Sequence, residues 1–193
     1  MKKLILISLL FCACKKDKTE YTTLEMKDVE SGVLLKQGTV EFFKCTTSDP
    51  FCGWIAWQTA FTDDAGRCKI SVDDYARVTY MRSYKDKYWA QWEPRVSTIW
   101  LVPEGWIRLR IIRGTGYPAS STLRINIISV NSNKSTGGDF KPAADSTILF
   151  RSFGAQLNRI NWIVSGPGGT QLNSGTWDQL VPRHDTVSAS LTY

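Results

Sequence analysis

Apolar and polar residues alternate along most of this chain, and that alternation limits the folds open to it. The pattern is clearest at residues 39–42, 107–111, 123–127, 160–164 and 187–193. A period of two residues gives a strand one buried face and one solvent-exposed face, and no stretch of a dozen residues has the period of a helix. The same pattern places Ile55, Trp57, Thr59 and Phe61 on one face. The sequence therefore predicts an all-β fold.

Clusters of Gly, Pro, Asp and Ser separate the predicted strands. They lie at residues 63–66, 114–118, 135–139 and 166–169. Short strands with regular turns are typical of β-sandwiches. A break near residues 93–97, where Pro94 and Pro103 interrupt ladder pairing, predicts one sandwich over residues 22–95 and a second over residues 96–193. The alternative is a single larger sandwich, and the sequence shows no clear internal repeat.

The N-terminus has the form of an export signal. Lys2 and Lys3 precede an apolar run at residues 4–13. This run is too short to cross a bilayer, because a membrane-spanning helix needs about 20 residues. Phe-Cys-Ala-Cys at residues 11–14 resembles the lipobox of bacterial lipoproteins, in which the cysteine is the lipid-modified residue.

The lipobox resemblance implies that residues 1–13 are removed and that Cys14 is acylated, with residues 14–21 as a polar tether. Two or more acyl chains give stable membrane attachment, so the membrane is a predicted partner. The expected location is the cell envelope, at the outer membrane. The charged residues 15–17 also resemble the segment that follows the anchor cysteine in surface-displayed lipoproteins. A plain secretory signal is the alternative.

The basic balance of the chain arises mostly next to the predicted anchor. The chain has 24 Lys and Arg residues against 18 Asp and Glu residues. Five of the lysines lie in the first 18 residues, which leaves 19 basic residues against 17 acidic ones in the remainder. A nearly neutral folded part gives no indication of a nucleic-acid partner.

Three cysteines follow the anchor. Cys45 and Cys52 flank a turn-rich loop, and a hairpin register that pairs Phe43 with Trp54 would place the two thiols opposite each other. We expect a disulfide there, which would stabilise the fold by about 2–3 kcal/mol in the chain-entropy model. Cys68 alternates with polar residues and is predicted to be a buried small hydrophobe. With one histidine and no paired cysteine spacing, no metal site or cofactor is predicted.

The first half of the chain is similar to a known domain family. Its residues 29–42, 59–70, 75–80 and 84–89 resemble the transthyretin-like, or carboxypeptidase-regulatory-like, domain. The resemblance implies a β-sandwich that acts as a binding or spacer module and does not do the chemistry of the enzymes it accompanies. The tight turn at residues 63–66 further predicts a positive φ at Gly66.

Candidate catalytic residues are few. His184 is the single histidine, and Asp185 follows it directly, but neighbouring residues on a strand point to opposite faces. We therefore predict no catalytic residue. The rival hypothesis is a hydrolase in the C-terminal half, in which His184, Asp178 or Asp185 would converge in a cleft. A third hypothesis is a structural spacer or assembly subunit with open strand edges.

Aromatic residues are the strongest functional signal downstream of the anchor. The chain has eight tryptophans and seven tyrosines. Most of the tryptophans are expected to fill cores, whereas Trp54 and Trp92 are the predicted exposed indoles that stack on a ligand. Arg108, Arg110 and Arg124 are predicted to form one basic stripe. The sequence thus predicts a lipid-anchored, non-catalytic binding or presentation module for a carbohydrate or an envelope protein.

Overall fold

The computed structural model describes residues 19–45, 53–131, 134–141 and 146–193. The first half contains seven strands and one short helix. These are β1 (Tyr21–Asp28), β2 (Thr39–Cys45), β3 (Trp54–Phe61), β4 (Arg67–Ser71), α1 (Val72–Arg77), β5 (Tyr80–Tyr84), β6 (Gln91–Pro94) and β7 (Thr98–Leu101). The second half contains seven more strands, β8 (Glu104–Ile112), β9 (Thr122–Ser129), β10 (Ser135–Phe140), β11 (Ser146–Phe153), β12 (Gln156–Ser165), β13 (Gln171–Val181) and β14 (Thr186–Thr192). The predicted all-β fold is confirmed.

The first seven strands form a sandwich of two sheets. One sheet has the order β4-β1-β7, in which β1 runs antiparallel to β4 and parallel to β7. The other sheet is antiparallel and has the order β3-β2-β5-β6. Apolar side chains from both sheets fill the core between them, including Leu24, Met26, Val40, Phe42, Ile70, Met81, Ile99 and Leu101.

The last seven strands form a second sandwich. Its sheets have the orders β11-β8-β14 and β10-β9-β12-β13, and β14 runs parallel to β8. The alternating segments at residues 107–111, 123–127 and 160–164 supply much of this core, as predicted. The buried members are Ile107, Leu109, Ile111, Leu123, Ile125, Ile127, Ile160 and Val164.

The two sandwiches share one strand order, which the sequence did not reveal. Counted from its own first strand, each sandwich has a 4-1-7 sheet and a 3-2-5-6 sheet, with strands 1 and 7 parallel. The repeat is not visible in the sequence because the segments that join equivalent strands differ in length between the two sandwiches. Residues 72–79 separate the fourth and fifth strands of the first sandwich, whereas only residues 154–155 do so in the second.

The end of the first sandwich lies later than the sequence indicated. Residues 98–101, which the predicted boundary assigned to the second sandwich, form β7 and pair with β1 from Glu25 to Asp28. A parallel partner is remote in sequence, so the local pattern around Pro94 gave no sign of this pairing.

Strand β3 departs from the predicted alternation. Phe42 pairs with Gln58 and Phe43 pairs with Ala56, so Trp57 has no partner on β2 and forms a bulge. An extra residue reverses the side that later residues face. Trp57 packs against the core, whereas Ile55 and Phe61 are 50% and 69% exposed. The prediction that these residues share a buried face was wrong.

The hairpin register around the predicted disulfide also differs. Cys45 pairs with Trp54, and Phe43 pairs with Ala56 rather than with Trp54. The predicted register was therefore wrong by two residues, because the pairing of β2 with β3 next to the loop begins at Cys45 and Trp54, and the one-residue bulge at Trp57 lies farther along the strands. Cys52 lies outside the described residues, so the Cys45–Cys52 bridge stays a prediction.

The structure confirms the prediction for Cys68 but does not describe the predicted anchor region. Cys68 is 4% exposed, as expected of a buried hydrophobe. Burial raises the pKa of its thiol to about 11, with a smaller contribution from the nearby Asp63 carboxylate. Cys14 and the export signal lie outside the described residues, so the lipid anchor stays a prediction. Within the described part of the chain, no helix is long and apolar enough to cross a bilayer.

Gly66 adopts the predicted positive φ, and a matched pair of variants tests why. Gly66 and Gly32 both have φ +67°. A Cβ at Gly66 would lie 2.7 Å from Leu34 Cβ and 2.8 Å from the Leu35 nitrogen, whereas nothing lies within 4 Å at Gly32. We expect Gly32→Ala to cost about 1 kcal/mol of unfolding free energy, and Gly66→Ala about 3 kcal/mol or more. Urea unfolding measures both, and equal losses would contradict the steric contribution.

Candidate functional site

The outer surface of the sheet β3-β2-β5-β6 is rich in aromatic side chains. On β2 and β5, Val40 and Met81 point into the core and are fully buried. Residues at the alternate positions therefore point outward. Five aromatic residues from all four strands define this surface, here called the aromatic face: Phe43, Trp54, Tyr80, Tyr84 and Trp92.

The rings of the aromatic face contact one another across strands. Trp54 meets Tyr80 edge to face, with ring centroids 4.5 Å apart and an interplanar angle of 84°. Phe43 meets Trp92 at 5.0 Å and 40°. Phe43 and Tyr80 are themselves cross-strand partners, so the four rings form one row. These contacts hold the rings in defined orientations, because aromatic pairs prefer edge-to-face and offset geometries.

Much of this ring surface is open to solvent. Trp54 is 47% exposed and Trp92 is 55% exposed. Phe43 lies beneath and is 8% exposed. Large exposed aromatic groups that adjoin one another on a sheet mark an interaction surface.

Charged groups lie among the rings. The Arg82 guanidinium is centred 5.3 Å from the Tyr84 ring and 5.6 Å from the Trp92 ring. Arg82 Nη1 donates to Glu41 Oε2 at 3.4 Å, and the Tyr84 hydroxyl donates to Glu41 Oε1 at 3.1 Å. Arg82 Nε is buried and has no hydrogen-bond partner among the described residues. The face therefore offers hydrogen-bonding groups next to apolar ring surface.

The structure brings both predicted stacking residues onto this one face. Trp54 lies on β3 and Trp92 lies on β6, at opposite edges of the sheet. Sequence reasoning missed Phe43, Tyr80 and Tyr84. Tyr80 and Tyr84 are spaced by four residues on one strand, which was a usable signal that both face the same way. Whether Trp54 and Trp92 bind a ligand stays a prediction.

Other tryptophans are packed, as expected for most of them. Trp57 packs on the first core, and Trp162 and Trp177 pack on the second. Trp89 lies between the sandwiches, where its Nε1 donates to the Ser152 carbonyl at 2.9 Å. These residues are therefore part of the protein interior and of the contact between the two sandwiches.

The residues of the rival hydrolase hypothesis have separate partners. Asp178 accepts two hydrogen bonds from the exposed Arg159, at 2.9 and 3.1 Å. Asp185 Oδ1 accepts from the Thr186 backbone at 2.7 Å. The His184 ring packs on Tyr88, with centroids 5.1 Å apart. Each of the three groups is therefore engaged in its own local structural contact.

His184 belongs to a cluster that joins the sandwiches. Asp28, at the end of β1, is fully buried. It accepts two hydrogen bonds from Arg183, at 2.6 and 2.9 Å. Burial and the charge of Arg183 lower the pKa of His184, and burial raises the pKa of Tyr88 to about 12. The ion pair between Asp28 and Arg183 therefore connects the first sandwich to the second.

The predicted basic stripe does not exist as one surface. Arg108 and Arg110 lie on β8, whereas Arg124 lies on β9 in the opposite sheet. Arg124 there forms two hydrogen bonds with Asp139, at 2.6 and 3.0 Å. The prediction was wrong because similar alternation in two strands does not place them in one sheet.

Among the described residues, no group of three His, Cys, Asp or Glu side chains is arranged to hold a metal ion.

Comparisons with known proteins give weak likenesses. No family model matches the chain, and no curated protein matches it. A candidate adhesin from Bacteroides ovatus has a TM-score of 0.33 and 10% identity, with 92% of this chain and 94% of that chain covered. A streptococcal ancillary pilin has a TM-score of 0.31 and 12% identity, with coverages of 90% and 63%.

A leucine-rich repeat protein from Bacteroides thetaiotaomicron also matches, with a TM-score of 0.30 and 11% identity. The match covers 90% of this chain, which spans 26% of that protein. Because all three TM-scores lie below 0.5, we draw nothing about function from them.

Proposed function

We propose that this chain is a non-catalytic carbohydrate-binding module of the bacterial cell envelope. Its aromatic face carries the binding, and a lipid on Cys14 attaches it to the membrane. The observation that carries the proposal is the row of aromatic rings across four strands, which leaves Trp54 47% exposed and Trp92 55% exposed.

The chemistry of the aromatic face suits a sugar. The C–H face of a pyranose is apolar and packs on an aromatic ring, while its hydroxyls need hydrogen-bonding groups at the edge. Trp92 supplies the ring surface, and Arg82 and Glu41 supply donors and acceptors beside it. The rings are oriented by their own contacts, so little conformational entropy is lost on binding.

The link between the sandwiches supports presentation at a distance from the membrane. The predicted tether at residues 14–21 leads directly into β1, which begins at Tyr21. Asp28 at the other end of β1 is bonded to Arg183 of the second sandwich. A fixed relation between the sandwiches would hold the second sandwich in a constant orientation relative to the first, which carries both the tether and the aromatic face.

A glycan-binding screen with the full-length chain tests the proposal. Against a glycan that binds, we expect Trp92→Ala and Trp54→Ala each to weaken affinity about threefold to tenfold, because each removes one stacking surface. Trp100→Ala is the matched control, since Trp100 is 44% exposed but lies on β7 in the other sheet.

Three results would count against the proposal. The variants of Trp54 and Trp92 could bind as tightly as the unmodified chain, or Trp100→Ala could reduce binding equally. The third is a chain that binds no glycan but binds an envelope protein through these same residues, which would assign the face to protein recognition.

A further inference from the structure

A lysine of the second sandwich reaches a carboxamide of the first. Lys134 directly precedes β10, and its carbonyl accepts a hydrogen bond from the Ser129 backbone nitrogen at 2.8 Å. Its Nζ donates to Oε1 of Gln91 on β6. The carbonyl carbon of Gln91, Cδ, lies one C=O bond of about 1.2 Å beyond that oxygen. The contact therefore places a primary amine beside an amide carbon, across the junction of the two sandwiches.

A buried carboxyl lies next to this pair. Glu93 follows Gln91 by two residues on β6, and side chains two apart on a strand point to the same side. Their partners on β5, Met81 and Ser83, are fully buried, so both side chains point inward, away from the side of the exposed Trp92. Glu93 Oε1 is buried and has no hydrogen-bond partner among the described residues. A buried oxygen without a partner is rare, and here it is available to exchange a proton.

Burial brings both titratable groups closer to their neutral forms. It lowers the pKa of the Lys134 amine and raises the pKa of the Glu93 carboxyl, and the opposite charge of each group offsets part of the shift in the other. A neutral amine is a nucleophile, whereas an ammonium group is not. A neutral carboxyl donates a proton to a reacting amide and its carboxylate takes one back. Together the three side chains contain a nucleophile, an electrophilic carbon and a proton carrier.

We propose that Lys134 and Gln91 form an isopeptide bond that joins the two sandwiches covalently, with Glu93 as the proton carrier. The lone pair of Nζ attacks Cδ of Gln91 while Glu93 gives its proton to Oε1. The Glu93 carboxylate then moves a proton from Nζ to Nε2. The Cδ–Nε2 bond breaks and ammonia leaves, and the proton on Oε1 returns to Glu93 as the carbonyl re-forms. The reaction occurs once in each chain and needs no oxidant or other reactant.

The bond would reinforce the junction that Asp28 and Arg183 also hold. It closes a covalent ring through residues 91–134, which contain β7, β8 and β9. A cross-link between residues far apart in the sequence restricts the unfolded chain and so stabilises the fold. This inference does not depend on what the aromatic face binds.

Mass spectrometry of the full-length chain with tryptic peptide mapping tests the inference. We expect the chain to be lighter than its composition requires by the mass of one ammonia molecule, and we expect a pair of peptides joined through Gln91 and Lys134. Lys134→Arg keeps the charge but has no nucleophilic amine, so that it should retain the ammonia. Lys141→Arg is the matched control, because Lys141 directly follows β10, and it should still be cross-linked. Glu93→Gln keeps the side-chain shape and is expected to slow bond formation about a hundredfold or more.

Four results would overturn the inference. The first is an unmodified chain that contains no joined peptides after prolonged incubation at neutral pH, which would leave a hydrogen bond alone. The second is a loss of ammonia that persists in Lys134→Arg, since an asparagine that cyclises onto its own backbone also releases ammonia. The third is a peptide pair joined through another lysine or another carboxamide. The fourth is cross-linking of Glu93→Gln at the rate of the unmodified chain.

Discussion

Replacing Asp28 with alanine is expected to lower the free energy of unfolding by about 3–5 kcal/mol, because it leaves the Arg183 guanidinium without its partner. Asp28 is fully buried. Besides the two bonds from Arg183, its Oδ1 accepts from the Glu30 and Ser31 backbone nitrogens at 3.0 and 2.8 Å. The carboxylate thus holds the turn after β1 and the second sandwich together. Urea unfolding of the full-length chain at pH 7 measures the loss.

Asp178→Ala is the control for the Asp28 variant. Asp178 has the same bidentate geometry toward Arg159, but its side chain is 39% exposed. Exposed ion pairs contribute little, since water already solvates both charges. A much smaller loss is expected for Asp178→Ala. Equal losses in the two variants would show that burial of Asp28 contributes nothing to its effect.

The Asp28 contribution should depend on pH. Burial raises the pKa of this carboxyl, but the hydrogen bonds from the Ser31 backbone and from Arg183 outweigh burial and lower it below the usual value. A group with a lowered folded-state pKa stabilises the fold above its unfolded pKa of about 3.9, and that stabilisation is lost as the pH falls through the folded value. The difference between the unmodified chain and Asp28→Ala should therefore be largest near neutral pH and shrink below about pH 4. A difference that is constant with pH would contradict this mechanism.

Replacing Phe42 with alanine is expected to cost about 3–5 kcal/mol, because it removes a buried ring and leaves a cavity. Phe42 is fully buried in the first core, whereas Phe61 on the adjacent strand is 69% exposed. Phe61→Ala should change stability by no more than about 0.5 kcal/mol, as exposed substitutions usually do. Chemical denaturation measures both variants. Because each replaces a phenylalanine by alanine in the same sheet, the difference between the two losses reports the burial of Phe42.

This pair also tests the bulge in β3. Alternation alone places Phe61 on the same side as Trp57, which packs on the core. The bulge at Trp57 turns Phe61 outward. A loss for Phe61→Ala as large as that for Phe42→Ala would show that β3 is regular and that the sequence pattern was right.

The candidate site was predictable in part. Trp54 and Trp92 were recognisable as exposed indoles, since their positions did not fit the buried side of the predicted strands. The contacts of Trp54 with Tyr80 and of Trp92 with Phe43 were not predictable, because they require β3, β2, β5 and β6 to be neighbours in that order. Cross-strand contacts of this kind depend on which strands pair and in which register, and the residue pattern of a single strand does not indicate either.

The amino-acid sequence by itself determined the strands and most of their buried sides. Side chains point alternately to opposite faces of a strand, so residues such as Leu109 and Ile125 could be assigned to the core from local pattern alone. Only the tertiary structure decided which strands share a sheet. It placed β7 beside β1 and β14 beside β8, repeated one strand order in both sandwiches, and moved Arg124 to a different surface from Arg108. These outcomes depend on pairing between segments far apart in the chain, where the free energy comes from burying two sheets against each other rather than from any one strand.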